Sequence, residues 1–97
     1  MAKAALIVRV AGQPDELFEI VGPETLIGRG PSCDLQLPDD GISREHSMVL
    51  AEGEAYTLED LQSTNGIKVN GKRVRSTELG HGDEIELGQT RLIFTLE

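Results

Sequence analysis

The sequence predicts an all-β fold, a β-sandwich, on three observations. Short apolar runs recur along the chain, and each is closed by Gly, Pro, Asn or Asp. Apolar residues alternate within the outermost runs, with Leu6, Val8 and Val10 on one face and Leu92, Phe94 and Leu96 on another. No segment carries a helical apolar repeat long enough to compete, and many short strands with no helix between them favour a sandwich over a parallel sheet.

Taken in order, the predicted strands cover residues 4–10, 17–21, 25–28, 34–37, 46–50, 55–59, 67–69, 72–74, 84–87 and 91–96. Two connections can be typed. Asn70-Gly71 stands between Val69 and Lys72, and this pair suits a type I′ hairpin because both central residues need positive φ. Gly88-Gln89 links the last two strands in a similar way, with Gly supplying the unusual backbone angle. The three aromatics, Phe18, Tyr56 and Phe94, are expected in strands or core. With 97 residues and no internal repeat or linker, the chain is read as one domain over residues 1–97. A chain of this length buries roughly 60–65% of its unfolded surface, enough for one modest core.

Charge excludes several partners. Lys plus Arg number 9 against 17 Asp plus Glu, a formal charge of −8. An acidic chain with three aromatics lacks the phosphate attraction and the stacking surfaces that nucleic-acid binding requires. The same sign disfavours an anionic membrane surface. Screening confines the field of distant carboxylates to about 8 Å at physiological salt, so a local basic site remains compatible with the total. The single cysteine, Cys33, forms no internal disulfide, and His46 and His81 have no zinc-ligand spacing. No metal or cofactor is therefore expected. The apolar run near the start is broken by Arg9 and reads as a strand, not a leader or a span, so a cytoplasmic location is expected.

Three loops hold polar groups that strand formation does not explain. The first is Gly28-Arg29-Gly30, where two glycines leave a planar guanidinium fork uncrowded and suited to phosphate or carboxylate oxygens. The second is Ser43-Arg44-Glu45-His46, with a hydroxyl donor and a second cation. Residues three apart in an extended chain face opposite sides, so Ser43 and His46 are not expected to form a nucleophile–base pair, and His46 is read as an inward brace. The third is Gln62-Ser63-Thr64-Asn65-Gly66, which combines hydroxyl donors, an amide able to pair with a peptide backbone, and a sharp-turn glycine. Each alone reads as an ordinary surface loop.

Together, in this order, the three loops resemble the signature of the forkhead-associated (FHA) domain family. The resemblance runs over almost the whole chain. It includes the stretch Leu79-Gly80-His81-Gly82-Asp83-Glu84-Ile85-Glu86-Leu87-Gly88, which is similar to the family's Gly-Asp-x-Ile-x-Leu-Gly hairpin. The resemblance implies a sandwich of two twisted antiparallel sheets with the ligand loops at one end, and a non-catalytic module that binds phosphothreonine in a partner protein and mediates phosphorylation-dependent signalling contacts. Carried over by position, Arg29, Ser43, Arg44 and Thr64 would contact the phosphate. Asn65 would hold the ligand main chain, while Gly28, His46, Ser63 and Gly66 would shape the site. The family's selectivity for the residue three after the phosphothreonine would fall on variable positions such as Asp40, Gly41, Ile42 and Gln62.

The charge balance fits that reading, because a phosphate dianion needs several convergent donors and at least one cation. Lys68 lies close enough to the third loop to reach a ligand. Lys72, Arg73 and Arg75 follow the Asn-Gly turn and are expected at the opposite end of the sandwich as a solvated face. An enzyme reading built on Ser43, His46 and Asp60 lacks the strand geometry and a Gly-x-Ser-x-Gly elbow. The other alternative is a phosphate-independent module that uses a sheet face. Only Met1-Ala2-Lys3 precedes the first strand, with no threonine, so the ligand is expected on another chain and the domain is expected to be a monomer.

Overall fold

The computed structural model describes residues 3–97; Met1 and Ala2, in the short segment ahead of the first strand, lie outside the described residues. The strands are β1 (Ala4–Arg9), β2 (Glu16–Glu19), β3 (Glu24–Gly28), β4 (Leu35–Gln36), β5 (Ser47–Glu52), β6 (Ala55–Asp60), β7 (Ile67–Val69), β8 (Lys72–Val74), β9 (Ser76–Glu78), β10 (Glu84–Leu87) and β11 (Thr90–Leu96). They form a six-stranded sheet in the order β2-β1-β11-β10-β7-β8 and a five-stranded sheet in the order β4-β3-β5-β6-β9. Among the described residues no helix is long and apolar enough to cross a membrane.

The alternation seen in the sequence is the inner face of the first sheet. Leu6 pairs with Phe94 and Val8 with Leu92 across β1 and β11, and all four are buried. The facing sheet contributes Ile27, Val49 and Leu58 to the same cluster. Each fully buried side chain of this kind contributes about 1.5–3 kcal/mol relative to exposure. Tyr56 tilts against Phe94 with ring centroids 5.3 Å apart, which links the two sheets through an aromatic pair. Asn70 (φ 52°) and Gly71 (φ 83°) both take positive φ, as the type I′ reading of that turn requires.

Three expectations change. The second sheet is mixed and not purely antiparallel, because β4 pairs in parallel with β3, Ile27 opposite Leu35 and Gly28 opposite Gln36. The loop after Gly28 folds back tightly, so the chain returns along its own edge in the same direction for two residues. A further strand, β9, pairs with β6 where a connection was expected. Its Ser-Thr-Glu sequence has no apolar alternation, and only the backbone ladder to β6 makes it a strand.

Third, Arg73 and Arg75 do not sit at the far end. Strand β7 starts directly after the third loop, and β8 runs back antiparallel to it, so Val74 lies opposite Ile67 and Arg73 opposite Lys68. Only Lys72, opposite Val69 at the turn, occupies the distal end. Arg75 marks the crossover to β9, and its carbonyl accepts the Asp60 N–H at 2.8 Å, at the end of β6 where the third loop begins.

Candidate functional site

The three loops are tied into one unit by backbone and side-chain hydrogen bonds. The Arg29 N–H donates to the Ser43 carbonyl at 3.0 Å, and the Gly30 N–H to the Arg44 carbonyl at 2.9 Å. This pairing sets the first loop flat on the second and explains Gly28. A Cβ there would collide with the Arg44 carbonyl and lie 2.9 Å from the Ser43 carbonyl oxygen. The Arg29 Nε–H donates to the Ile42 carbonyl at 3.1 Å, which fixes the guanidinium plane and leaves both terminal amino groups uncommitted. The Cys33 thiol donates to the Arg44 carbonyl at 3.0 Å, so the backbone of Arg44 is pinned while its side chain stays exposed. Burial raises the Cys33 thiol above its ordinary value, against a backbone hydrogen bond with Gly30 and with help from the charges of Glu45 and Asp34.

His46 is the junction. Its side chain is 0% exposed. Its Nδ1 accepts the Ser43 N–H at 2.9 Å, so Nδ1 carries no proton and Nε2 donates to the Gly66 carbonyl at 2.8 Å. Its own N–H donates to the Ile27 carbonyl, and its carbonyl accepts the Leu61 N–H, each at 2.9 Å. One neutral imidazole thus holds the second and third loops in register, while its backbone bonds reach the end of β3. The chain bends between Ser43 and His46 and is not extended, yet the conclusion drawn from extended geometry stands for a different reason. Both ring nitrogens are engaged elsewhere, so neither can take the Ser43 hydroxyl proton. The Asp60 carboxylate accepts the Ser63 N–H at 3.2 Å and does not orient the imidazole.

The third loop completes the site. The Ser63 hydroxyl accepts the Gly66 N–H at 2.9 Å, closing the turn in which Gly66 takes φ +75°. Ser63 therefore shapes the loop from within. The Thr64 N–H donates to the Ser43 hydroxyl at 3.1 Å, and the Asn65 side-chain amide donates to the Gly41 carbonyl at 2.9 Å. Asn65 keeps its amide oxygen and one N–H uncommitted. Ser43 keeps its O–H, since its oxygen is the acceptor in the bond from Thr64. What the scaffold leaves uncommitted is the two terminal amino groups of Arg29, the exposed guanidinium of Arg44, the O–H of Ser43 and the hydroxyl of Thr64.

The family model described as FHA domain matches residues 25–88, a span that contains all three loops. The chain belongs to the FHA domain family. It is 43% identical over 76 residues to the FHA domain-containing protein FhaA of Mycobacterium tuberculosis, which covers 78% of this chain and 14% of that protein. It is 36% identical over 91 residues to the glycogen accumulation regulator GarA of Mycolicibacterium smegmatis, covering 94% of this chain and 58% of that protein. A solved structure described as a structural and functional analysis of phosphothreonine-dependent FHA domain interactions superposes with a TM-score of 0.89 at 32% identity, over 96% of this chain and 95% of that one. The chain spans less than two thirds of the length of these curated relatives.

Two features of this FHA domain were missed by sequence reasoning. Asp39 clasps the second loop to the β10–β11 turn: one carboxylate oxygen accepts the Gly41 N–H, and the other accepts the Gln89 N–H and the Thr90 hydroxyl, each at 2.8 Å. Burial pushes this carboxyl up, but the bonds from Gly41, Thr90 and Gln89 outweigh it and hold the acid below its ordinary value. Since Gly41 also receives the Asn65 amide, the clasp sets the position of the residue proposed to hold a peptide. No local pattern signals a contact fifty residues away. Arg73 is the second, lying over Gly66, where a Cβ would meet its guanidinium at 2.8–3.0 Å.

Proposed function

We propose that this FHA domain is a phosphothreonine-peptide recognition module that binds a threonine-phosphorylated protein supplied by another chain. The observation that carries the reading is the division of labour at the loop end. His46 and the backbone consume their hydrogen-bonding groups in holding the loops, and Ser63 commits its hydroxyl oxygen to the Gly66 N–H, while Arg29, Ser43, Arg44 and Thr64 keep donors for a phosphate. Charge-assisted bonds from arginine are the strong contacts to phosphate, and hydroxyl donors complete the oxygen shell. Asn65 then holds the ligand main chain beside the phosphothreonine. Such a site binds without catalysing, and its natural setting is the cytoplasm, where a phosphorylated partner is made by a kinase. The kind of interaction described for the FHA domains of the similar solved structure supports the same reading.

The deciding experiment is calorimetric titration of the monomeric domain with a phosphothreonine peptide and its unphosphorylated twin. Binding of the first alone is expected. Equal binding of both would replace this reading with a phosphate-independent contact through a sheet face.

A further inference from the structure

The charges on the outer face of the six-stranded sheet are unevenly matched. Strand register lines up Arg9, Arg91, Glu86, Lys68 and Arg73 in one cross-strand row. At one end the cations are neutralised, with Arg9 at 3.0 Å from Asp15 and Arg91 at 3.6 Å from Glu84 and 3.7 Å from Glu86. At the other end, Lys68 and Arg73 stand directly opposite each other, an arrangement that costs stability when like charges face. Among the described residues no carboxylate lies within 4.0 Å of Arg73 or Arg75, in a chain with 17 acidic residues. Unpaired guanidinium groups in so acidic a domain are gathered where they border the third loop.

That border is a groove of about 660 Å³ lined by Asp60, Gln62, Ser63, Arg73, Val74 and Arg75. It shares the third loop with the phosphate site, since Gln62 and Ser63 immediately precede Thr64. Three guanidinium atoms of Arg73 lie nearly equidistant, at 2.8–3.0 Å, from where a Gly66 Cβ would stand, so the group lies face-on over the glycine, next to Asn65. The one carboxylate in the wall, Asp60, has an oxygen committed to the Ser63 N–H. The lining thus holds two cations against one acid. On the other side of the loops, the groove of about 380 Å³ between Asp39, Asp40, Gly41 and Gln89 has no Lys or Arg in its wall.

We propose that Arg73 and Arg75, with the amide of Gln62 and the hydroxyl of Ser63, form a second anion subsite that takes an acidic group of the same phosphopeptide. The acid is a carboxylate or a second phosphate, the shared chemistry being a planar or tetrahedral oxyanion read by arginine forks. Ser63 in the groove wall is the chain neighbour of Thr64, and an extended peptide advances at most about 3.3–3.6 Å per residue, so an acid up to three residues from the phosphothreonine reaches about 10 Å along this border. The subsite rests on the phosphothreonine reading, and it adds a charge preference that the three loop motifs do not contain.

The test scans glutamate through the three positions on each side of the phosphothreonine in an otherwise neutral peptide. A phosphoserine version is made at the best position. Binding to the native domain is compared with Arg73→Gln/Arg75→Gln and with Lys72→Gln, which removes a cation at the far end of β8. One position is expected to tighten binding by about fivefold, as for a single well-formed exposed ion pair. The double variant loses that gain while binding the neutral phosphopeptide as the native domain does, and Lys72→Gln keeps it. Glutamate and phosphoserine arms of equal or unequal gain tell which oxyanion the groove prefers. If no position gains, or if Lys72→Gln removes the gain as fully as the double variant, the subsite is refuted. If the native domain ignores even the neutral phosphopeptide, the phosphothreonine reading itself fails. Unchanged thermal unfolding of each variant separates lost binding from lost fold, and Arg75→Glu, expected to reverse the preference, serves should the double variant unfold.

Discussion

The sandwich interior and its loop end are held together by different physics. Between the sheets, Leu6, Ile27, Val49, Leu58, Leu92 and Phe94 are stabilised by undirected burial, in which volume matters more than the placement of any one atom. At the loop end, single atoms decide: His46 Nδ1 for the Ser43 N–H, His46 Nε2 for the Gly66 carbonyl, and the Asp39 carboxylate for three donors on two loops. The interior should therefore degrade gradually under substitution and leave binding alone, whereas the loop end should fail in specific ways. It also contains two sets of residues. One set holds the loops and the other keeps its donors free, and these should respond differently to removal.

The largest effect tests the interior. Phe94→Ala should lower unfolding stability by about 3–5 kcal/mol in denaturant titration, with unchanged phosphopeptide affinity for the fraction that remains folded. Altered affinity in that fraction would show that the interior shapes the site. At the loop end, Arg29→Ala should do the reverse. Loss of a charge-assisted contact to the phosphate costs about 2–5 kcal/mol of binding, against about 1 kcal/mol of stability for the bond from Nε to Ile42. A variant of native affinity would remove Arg29 from the site.

His46→Ala breaks the comparison from the other direction, because it touches no ligand and yet should affect both properties. It strands the Ser43 N–H and the Gly66 carbonyl at about 1–3 kcal/mol for each group left unpaired and buried. Melting temperature should fall first, with affinity lost as the loops separate. Full stability combined with lost affinity would contradict the bracing role. At the small end, Ser47 is buried with its hydroxyl unpartnered among the described residues, so Ser47→Ala should be near neutral in both assays.

Two acid transitions sharpen the distinction. Phosphothreonine has its second pKa near 6, so affinity for the dianion should fall as pH drops through about 6 while the domain stays folded. Asp39 acts lower. Its folded carboxyl sits below the ordinary aspartate value of about 3.9, so its contribution to stability is complete above that value and is lost as pH falls through the lower folded one. Unfolding curves taken below about pH 4 should therefore be less acid-sensitive in Asp39→Asn than in the native domain. Native and variant curves of equal slope there would show that the clasp does not matter to the fold.

The sequence by itself determined what depends on neighbours along the chain. Alternation in residues 4–10 and 91–96 placed Leu6, Val8, Leu92 and Phe94 inward, and Asn70-Gly71 specified its turn through the positive φ that each residue tolerates. The loops around Arg29, Ser43 and Asn65 each read alone as ordinary surface and were legible as a candidate site only in combination, through their resemblance to one family signature. Tertiary structure alone decided what depends on pairing. Strand β9 exists only because β6 offers it a ladder, and Asp39 meets Gln89 and Thr90 only because sheet closure brings the β10–β11 turn to the second loop. The same holds for Arg73 and Arg75: two three-residue strands around one tight turn return the chain to where it left, and so two arginines thought distant stand beside the third loop. Propensity and periodicity act over a few residues, whereas register sets which distant side chains share a surface, and it is fixed by the whole sheet.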